Sequence, residues 1–228
     1  IPRQLISHTH LIYSSPATLA FNSPGAEGFG VKRAGLAVPD SVMLIVSPGC
    51  CGRNTSVLSS MRAYQDRFYY LLMDETDIVT GRHLKKIPKA VAEICEGLKK
   101  KPSVVMICIT CVDALLGTDM ERVCHKAEEY AGIPVKPCYM YALTREGRKP
   151  PMVHVRQSIY SLLEPKKKKG NVVNLLGYFS PLVDDCELYE LLHGAGVKTI
   201  HEISRCSDYA EYQTMAEANF NLVLHPEA

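Results

Sequence analysis

The chain has 228 residues, of which 46% are apolar and 22% are charged, a composition typical of a soluble globular protein rather than a disordered one. Its formal net charge of +2 excludes a strongly basic nucleic-acid or anionic-membrane surface, and its one basic block, Lys166–Lys169, lacks interleaved aromatic residues. Apolar runs fall far short of the roughly 20 residues that a membrane helix needs, and the first residues show no signal-peptide pattern, so we expect a cytoplasmic protein.

Short β-branched runs alternate with longer helical patterns, which predicts an α/β fold of Rossmann-like layered domains with parallel sheets. Thr118 and Glu121 are spaced as a capping box, which predicts that a helix begins there and stops at Gly132. The first domain is expected over residues 1–164. In chain order, we predict a strand over 42–46, a helix over 84–100, a strand over 103–109, a helix from 118 to about 131 and a strand over 133–138.

A change of composition at residues 163–170 marks the start of a second domain, over residues 165–228. Asp184 and Asp185 are placed to cap a helix that runs through Leu192. Strands are expected over 172–176, 197–203 and 220–224. Since no crossover helix follows the last strand, we expect this second domain to be incomplete in these residues.

Nine cysteines are present, and an odd number argues against a fully paired disulfide framework. Cys50 and Cys51 directly follow the first predicted strand, and Cys108 and Cys111 stand at the end of the next one. Alternation places Cys108 inside that strand, whereas Cys111 clears its end. Open α/β sheets bind ligands in the crevice beyond the strand carboxyl ends, so these cysteines are candidate ligands.

Several chemistries fit these cysteines. The turn after the first strand is also compatible with a buried thiol in a glycine-built turn, or with backbone amides that bind an anion. A lone C-x-x-C serves as a thiol–disulfide pair, as half of a zinc site or as a pair of cluster ligands. Thiolates at neighbouring strand ends suit zinc or an iron–sulfur cluster, and the residues alone do not choose between them.

Three stretches together resemble the nitrogenase component 1 family, which includes the molybdenum–iron protein subunits and the catalytic subunits of dark-operative protochlorophyllide reductase. Pro48–Gly52 is similar to the family's G-P-x-G-C turn, and Glu75–Gly81, continuing to Leu84, is similar to its E-x-D-I-V-F-G-G-x-x-K-L segment. Cys111–Met120 is similar to its C-P-x-G-L-I-G-D-D-I segment, and 171–225 to the start of its second Rossmann-like domain. We expect Glu75 and Asp77 to be structural, since such residues often begin helices.

The resemblance implies a nitrogenase component 1-like fold and an oxidoreductase that holds an iron–sulfur cluster. Cys51 and Cys111 match the cluster cysteines, with Cys50 and Cys108 as alternates, and the backbone amides of Gly49 and Gly52 would tune the cluster. The family's larger clusters use a further cysteine upstream of the turn, and residues 1–49 contain none. A [4Fe-4S] cluster shared at a subunit interface therefore fits better. No catalytic residue is assigned.

The resemblance also implies partners. These are a second copy in a homodimer or a paralogous component 1 subunit in a heterotetramer, together with a transient ATP-dependent iron protein that supplies electrons. The sequence lacks a P-loop motif, so no nucleotide is expected in this chain. The leading hypothesis is a subunit that relays electrons from the iron protein to a bound substrate or cofactor. The alternative is a non-catalytic scaffold or carrier for assembly of a metal cofactor, and the substrate stays open.

Overall fold

A computed structural model describes residues 28–49, 59–110, 116–139 and 151–225. These ranges contain seven strands, and seven α-helices that each have six or more residues. The helices are α1 (Gly28–Gly35), α2 (Glu75–Thr80), α3 (His83–Gly97), α4 (Met120–Ala131), α5 (Pro151–Tyr160), α6 (Glu187–Gly194) and α7 (Tyr209–Thr214). The strands are β1 (Val42–Ser47), β2 (Phe68–Leu72), β3 (Val105–Ile109), β4 (Val135–Tyr139), β5 (Lys169–Leu176), β6 (Thr199–His201) and β7 (Ala218–Val223).

The first four strands form one parallel sheet in the order β2-β1-β3-β4. The chain passes from β1 to β2 on one side and then crosses to β3 on the other side of β1. This reversal is a topological switch point, and it lies between β1 and β3. Every residue of β1 is buried, as expected for a central parallel strand that is covered on both faces.

Helices cover both faces of this first sheet. On one face, Ile87 and Val91 of α3 pack with Met120 and Cys124 of α4. On the other face, α1 and α5 pack over a second cluster that includes Val31. The result is a three-layer α/β/α arrangement, in agreement with the fold class expected from the sequence.

A second, smaller parallel sheet has the order β6-β5-β7. Its helix α7 contributes to the core of the first sheet, where Tyr212 is buried and its hydroxyl donates a hydrogen bond to the Ile159 carbonyl. Gln213 Nε2 donates to the Leu162 carbonyl at 2.8 Å. The two sheets are therefore joined through α7 and α5 by buried apolar and polar contacts.

Local differences from the sequence prediction have clear physical causes. The cap of α4 is Asp119 rather than Thr118, because the Asp119 side chain accepts the Arg122 amide at 3.1 Å. Helix α6 begins at Glu187, with no side-chain cap, because Asp184 instead pairs with Arg205 at 2.7 Å. The strand predicted over 197–203 is limited to β6, since a 3-10 turn follows over Ile203–Arg205. Within the part of the chain that the structure describes, no helix is both long and apolar enough to cross a membrane.

Candidate functional site

The carboxyl ends of β1 and β3 meet at one edge of the first sheet. Val46 pairs with Ile109 in parallel register, so Pro48 and Thr110 follow neighbouring strands at the switch point. Ligands of open α/β sheets bind beyond strand ends at such a point. We call this the switch-point edge.

The structure describes only some of the residues that the sequence predicts to hold the cluster. Cys50, Cys51, Gly52 and Cys111 lie outside the described residues, and Gly49 is exposed directly after β1. Across the described ranges, no group of three or more His, Cys, Asp or Glu side chains is arranged to hold a metal ion. The predicted ligand set therefore stays a prediction, whereas the adjacency of β1 and β3 is observed.

Two hydroxyl groups are buried at the switch-point edge. Ser47 is fully buried at the end of β1, and Thr110 is 2% exposed directly after β3. Among the residues that the structure describes, neither Ser47 Oγ nor Thr110 Oγ1 has a hydrogen-bond partner. A buried hydroxyl that lacks a partner costs about 1–3 kcal/mol. Two hydroxyl donors at one edge could hydrogen-bond to a ligand that carries acceptor atoms. The sulfurs of iron–sulfur clusters accept such hydrogen bonds, which help to set the reduction potential.

Cys108 lies inside β3, as the alternation of its strand predicts, and it is fully buried. Its in-register neighbour on β4 is Cys138, which is also fully buried and whose thiol donates to the Val31 carbonyl at 3.5 Å. The interaction with Cys108, together with burial, raises the pKa of Cys138 well above its ordinary value. The role of Cys108 as an alternate cluster ligand stays a prediction.

Asp77 has a structural role, as the sequence predicts. Asp74 caps α2 by accepting the Asp77 amide at 2.7 Å, and the Asp77 side chain accepts the Asp74 amide at 3.4 Å in return. Lys86 Nζ lies 2.6 Å from the buried Asp77 carboxylate. Glu75 is exposed in the first turn of α2. These contacts make the segment a helix start that is anchored on α3.

A cleft of about 580 Å³ lies between the two sheets, at the carboxyl ends of the second-sheet strands. The residues after each strand line it: Gly177 and Tyr178 follow β5, Ser204 follows β6 and His225 follows β7. In the order β6-β5-β7, this edge is again a topological switch point. We call this cavity the interdomain cleft.

The interdomain cleft has a positive lining. Arg33, Arg67 and Arg156 line it, and Asp40 is the one acidic residue among the described lining residues. Arg67 Nη2 donates to the Leu36 carbonyl at 2.8 Å, which fixes its position. Arg156 Nη2 donates to the Gly177 carbonyl at 2.8 Å, which ties α5 to the end of β5. Guanidinium groups on the wall of a partly enclosed cavity favour an anionic ligand.

Two potential soft or borderline metal ligands also line the interdomain cleft. The Cys206 thiol donates to the Glu202 carbonyl at 3.4 Å, and burial, together with Glu211 and Asp208, raises its pKa to about 11. His225 packs edge-on against Tyr178, with ring centroids 5.9 Å apart. Thiolate and imidazole groups bind transition metals.

Comparison with known proteins assigns the family. Residues 27–228 match the model of the nitrogenase component 1 type oxidoreductases. The chain belongs to this family. The resemblance seen in the three sequence stretches is therefore confirmed, and the family match extends through both sheets of the structure.

Curated relatives of this component 1-type chain are cofactor biosynthesis proteins. The chain is 28% identical over 196 residues to the nitrogenase iron-molybdenum cofactor biosynthesis protein NifE of Rhizobium meliloti, covering 83% of this chain and 41% of that protein. It is 26% identical over 222 residues to the Klebsiella pneumoniae protein of the same name, covering 88% of this chain and 48% of that protein. The chain thus spans less than half the length of these two relatives.

Solved structures confirm the component 1 fold. A structure described as nitrogenase Cp1 at pH 6.5 matches with a TM-score of 0.59 and 22% identity, over 84% of this chain and 40% of that chain. A second structure of Cp1, at pH 5, matches with the same TM-score and 23% identity. At this level of identity the likeness shows the fold alone.

Sequence reasoning missed several residues of this component 1-type chain. Arg67, Arg156 and His225 lie far apart in sequence and meet only in the interdomain cleft. Cys206 has nothing near it in the sequence that completes a site, yet it lines the same cleft. Cys138 carries no local signal, because its position beside Cys108 depends on the register of β3 and β4. The only local signal was the position of Cys206 and His225 just after predicted strands.

Proposed function

We propose that this chain is a component 1-type subunit that binds an iron–sulfur cluster at the switch-point edge and takes part in assembly of a metal cofactor, as a scaffold or carrier. The observation that carries the proposal is the adjacency of β1 and β3 at the switch point, each followed by a predicted cluster cysteine. Ligand sites of parallel α/β sheets form at such points.

The proposed ligands are Cys51 and Cys111, with Cys50 and Cys108 as alternates. A [4Fe-4S] cluster takes four thiolates, so two from each of two chains complete the set at a subunit interface. The backbone amides of Gly49 and Gly52 would tune the cluster by hydrogen bonding. The buried Ser47 and Thr110 hydroxyls support this proposal, because they find no acceptor in the part of the chain that the structure describes, and a cluster sulfur at this edge could accept from them.

The interdomain cleft is the proposed cargo site. Metal–sulfur cofactors that carry negative charge fit a lining of three arginines, and the Cys206 thiol and the His225 imidazole lie on the wall of the same cleft. The Arg156 contact with the Gly177 carbonyl holds the wall of the cleft in place. These residues would bind and orient the cofactor. The proposal includes no bond formation or cleavage by the protein.

Two functions remain for a chain of this kind. The curated relatives are named for cofactor biosynthesis, which favours a scaffold that later releases its cargo. Electron relay to a bound substrate is the second candidate, and the oxidoreductase description of the family favours it. Both need a second copy or a paralogous subunit, and electron relay also needs an ATP-dependent iron protein. The cytoplasmic location stays a prediction.

A transfer experiment separates the two functions. The protein is loaded anaerobically with ⁵⁵Fe and sulfide, then mixed with an apo component 1-type acceptor, and radioactivity is followed from one protein to the other. In a parallel sample, an ATP-dependent iron protein and dithionite replace the acceptor, and substrate-dependent electron consumption is measured.

A scaffold loses iron to the acceptor and shows no donor-dependent turnover. A Cys51→Ala, Cys111→Ala variant should then neither load nor transfer iron, whereas a Cys124→Ala variant, which alters a buried cysteine in α4, should do both. Donor-dependent turnover without transfer would replace the scaffold assignment by electron relay. A protein that loads no iron would contradict both functions.

A further inference from the structure

The two edge strands of the first sheet differ in how their outer backbone groups are bonded. In a parallel pair, alternate residues carry the bonds to the neighbouring strand, and in β4 it is Val135 and Pro137 that face outward. The Val135 amide donates to Glu128 Oε1 at 3.0 Å. Pro137 has no amide hydrogen, and its carbonyl accepts the Ser158 hydroxyl at 3.2 Å. This edge is therefore closed to a further strand by its own side chains.

The outer side of β2, at the opposite edge, has no such closure. This strand bonds to β1 through the Arg67 carbonyl at 2.8 Å and the Met73 amide at 3.0 Å, and hence through its odd-numbered residues. The amides and carbonyls of Phe68, Tyr70 and Leu72 point away from β1. In the part of the chain that the structure describes, these six groups make no hydrogen bond.

The side chains of β2 also leave this edge unprotected. The segment Phe68–Met73 contains no charged residue, proline or glycine. Tyr70 is 39% exposed and Leu72 is 59% exposed. Soluble proteins usually protect an edge strand with charge, with proline or with a covering element, because an open apolar edge pairs with other chains. We therefore expect the edge of β2 to be paired in the functional protein.

A groove of about 360 Å³ lies beside this edge, between β2 and α3. Tyr69 and Leu71 line it from the strand, and Ala90 and Ile94 line it from the helix. Gly97 lies at the end of α3, where a Cβ would meet nothing within 4 Å, so it leaves the groove open. Successive side chains of a strand alternate between the two faces of a sheet. Every second side chain of an added strand would therefore enter this groove.

The unpaired charge around the groove is acidic. Glu93 is the one charged residue among the described residues that line it, and Asp66 stands just before β2. Both are exposed, and neither forms an ion pair within the described ranges. The neighbouring Arg67 guanidinium is instead turned toward β1, where it donates to the Ser41 carbonyl at 2.9 Å. A ligand with basic residues is therefore complementary to this surface.

A second copy of the chain fits this edge poorly. The antiparallel pairing that overlaps all three outward residues places Tyr70 opposite its own copy and Asp66 opposite Asp74. Like charges directly opposite each other destabilise a strand pair. A strand that carries basic residues at these positions meets attraction instead.

We propose that the open edge of β2 binds an extended segment of a partner protein as an additional strand, with apolar side chains in the groove and basic residues facing Asp66 and Glu93. Main-chain hydrogen bonds supply affinity in this mode of recognition, and the groove and the acidic groups select the sequence. The site is distinct from the switch-point edge and from the interdomain cleft, so it depends on neither the cluster nor the cargo proposed above.

The test is selection of a phage-displayed library of random peptides on the full chain, followed by fluorescence anisotropy with the selected peptide. We expect a consensus in which β-branched or aromatic residues alternate with other residues and Lys or Arg stands near the ends. Binding should weaken as salt is raised, since exposed charges are screened. It should also protect the Tyr70 and Leu72 amides from hydrogen exchange, because they would donate to the added strand.

Matched variants test each part of the site. Glu93→Lys reverses the charge in the groove and Gly97→Leu fills it, and each should weaken peptide binding by about fivefold or more. Tyr70→Pro removes an outward amide and should weaken binding by about tenfold. Glu96→Lys is the control, since Glu96 is exposed on α3 but does not line the groove, and it should leave the affinity unchanged.

Three results would overturn the proposal. They are a selection without enrichment, a consensus that lacks alternation or basic residues, and an affinity that neither Glu93→Lys nor Gly97→Leu changes. A dimer in sedimentation that Tyr70→Pro dissociates would assign the edge to a second copy instead. Iron content is measured on the same preparations, so loss of the cluster and loss of peptide binding are distinguished.

Discussion

Val46 on β1 pairs in parallel register with Ile109 on β3, so the two segments that follow these strands begin side by side. The pairing depends on the crossover from β2 to β3, which makes β1 and β3 neighbours although about 60 residues separate them. We therefore expect the cysteines that follow both strands to lie at one edge of the sheet. This relationship underlies the proposed cluster site.

The buried hydroxyls at this edge give the first prediction. We expect a Ser47→Ala, Thr110→Val double variant to leave the stability of the metal-free protein unchanged or to raise it by about 1 kcal/mol, because it removes two buried hydroxyls that make no hydrogen bond within the described ranges. In the loaded protein, the loss of hydrogen bonds to cluster sulfur should make the reduction potential more negative. Urea unfolding and redox titration measure the two effects.

Ser158 provides a matched control for this pair. Its buried hydroxyl donates to the Pro137 carbonyl at 3.2 Å, so Ser158→Ala should destabilise the protein by about 1 kcal/mol and leave the potential unchanged. A potential that does not move in the double variant would show that the two hydroxyls do not contact a cluster.

The start of α2 gives the second prediction. Asp74→Ala removes the side-chain oxygen that accepts the Asp77 amide, so the free energy of unfolding should fall by about 1 kcal/mol. Urea denaturation at neutral pH measures this change. Glu75→Ala is the control, since Glu75 is exposed one residue further on and should have little effect. Equal losses in the two variants would contradict the capping role.

The Asp77 carboxylate makes stability depend on pH. The hydrogen bond from Lys86 lowers its pKa, helped by the Asp74 amide and Arg82 and opposed by burial. Because the folded pKa lies below the unfolded value of about 3.9, this stabilisation is present above that value. It is lost as the pH falls through the folded pKa. Asp77→Asn should therefore lower the Tm at pH 7 and weaken its acid dependence, which thermal melts between pH 3 and pH 7 will measure.

Gly177 gives a prediction for the interdomain cleft. Its φ is 123°, and a Cβ there would lie 2.6 Å from His225 Cβ and 2.8 Å from His225 N. Gly177→Ala should cost about 1–3 kcal/mol from the backbone alone and displace His225 from the cleft wall. Urea unfolding and a crystal structure of the variant measure both effects.

Gly194 at the end of α6 is the control for this substitution, because a Cβ there meets nothing within 4 Å. Gly194→Ala should be neutral or slightly stabilising. If Gly177→Ala behaves in the same way, the close approach of Gly177 and His225 does not hold the cleft wall.

The main elements of the first sheet could be predicted because their signals are local. The apolar run at β1 and the helical spacing of Ile87, Val91 and Ile94 in α3 lie within single segments. The strand β2 was missed, since Phe68–Leu72 has little alternation and stands at an edge with Tyr70 and Leu72 exposed. The helices α1, α5 and α7 were also missed.

Sites that depend on register or on two sheets could not be predicted in the same way. The pairing of Cys108 with Cys138 follows from strand order. The interdomain cleft joins residues from Arg33 to His225. In contrast, a site at the ends of β1 and β3 could be proposed from sequence, because strand ends are visible in local patterns and parallel sheets place those ends at one edge. The cysteines themselves stay a prediction.

The measurement that tests the central claim most directly is iron and acid-labile sulfide content, with EPR of the dithionite-reduced protein, on anaerobically purified protein. The comparison is between the wild type, a Cys51→Ala, Cys111→Ala variant and a Cys124→Ala control. We expect a reducible iron–sulfur signal in the wild type and the control, and its loss in the double variant. Stoichiometric zinc, or a signal that survives loss of Cys51 and Cys111, would contradict a cluster at the β1–β3 switch point.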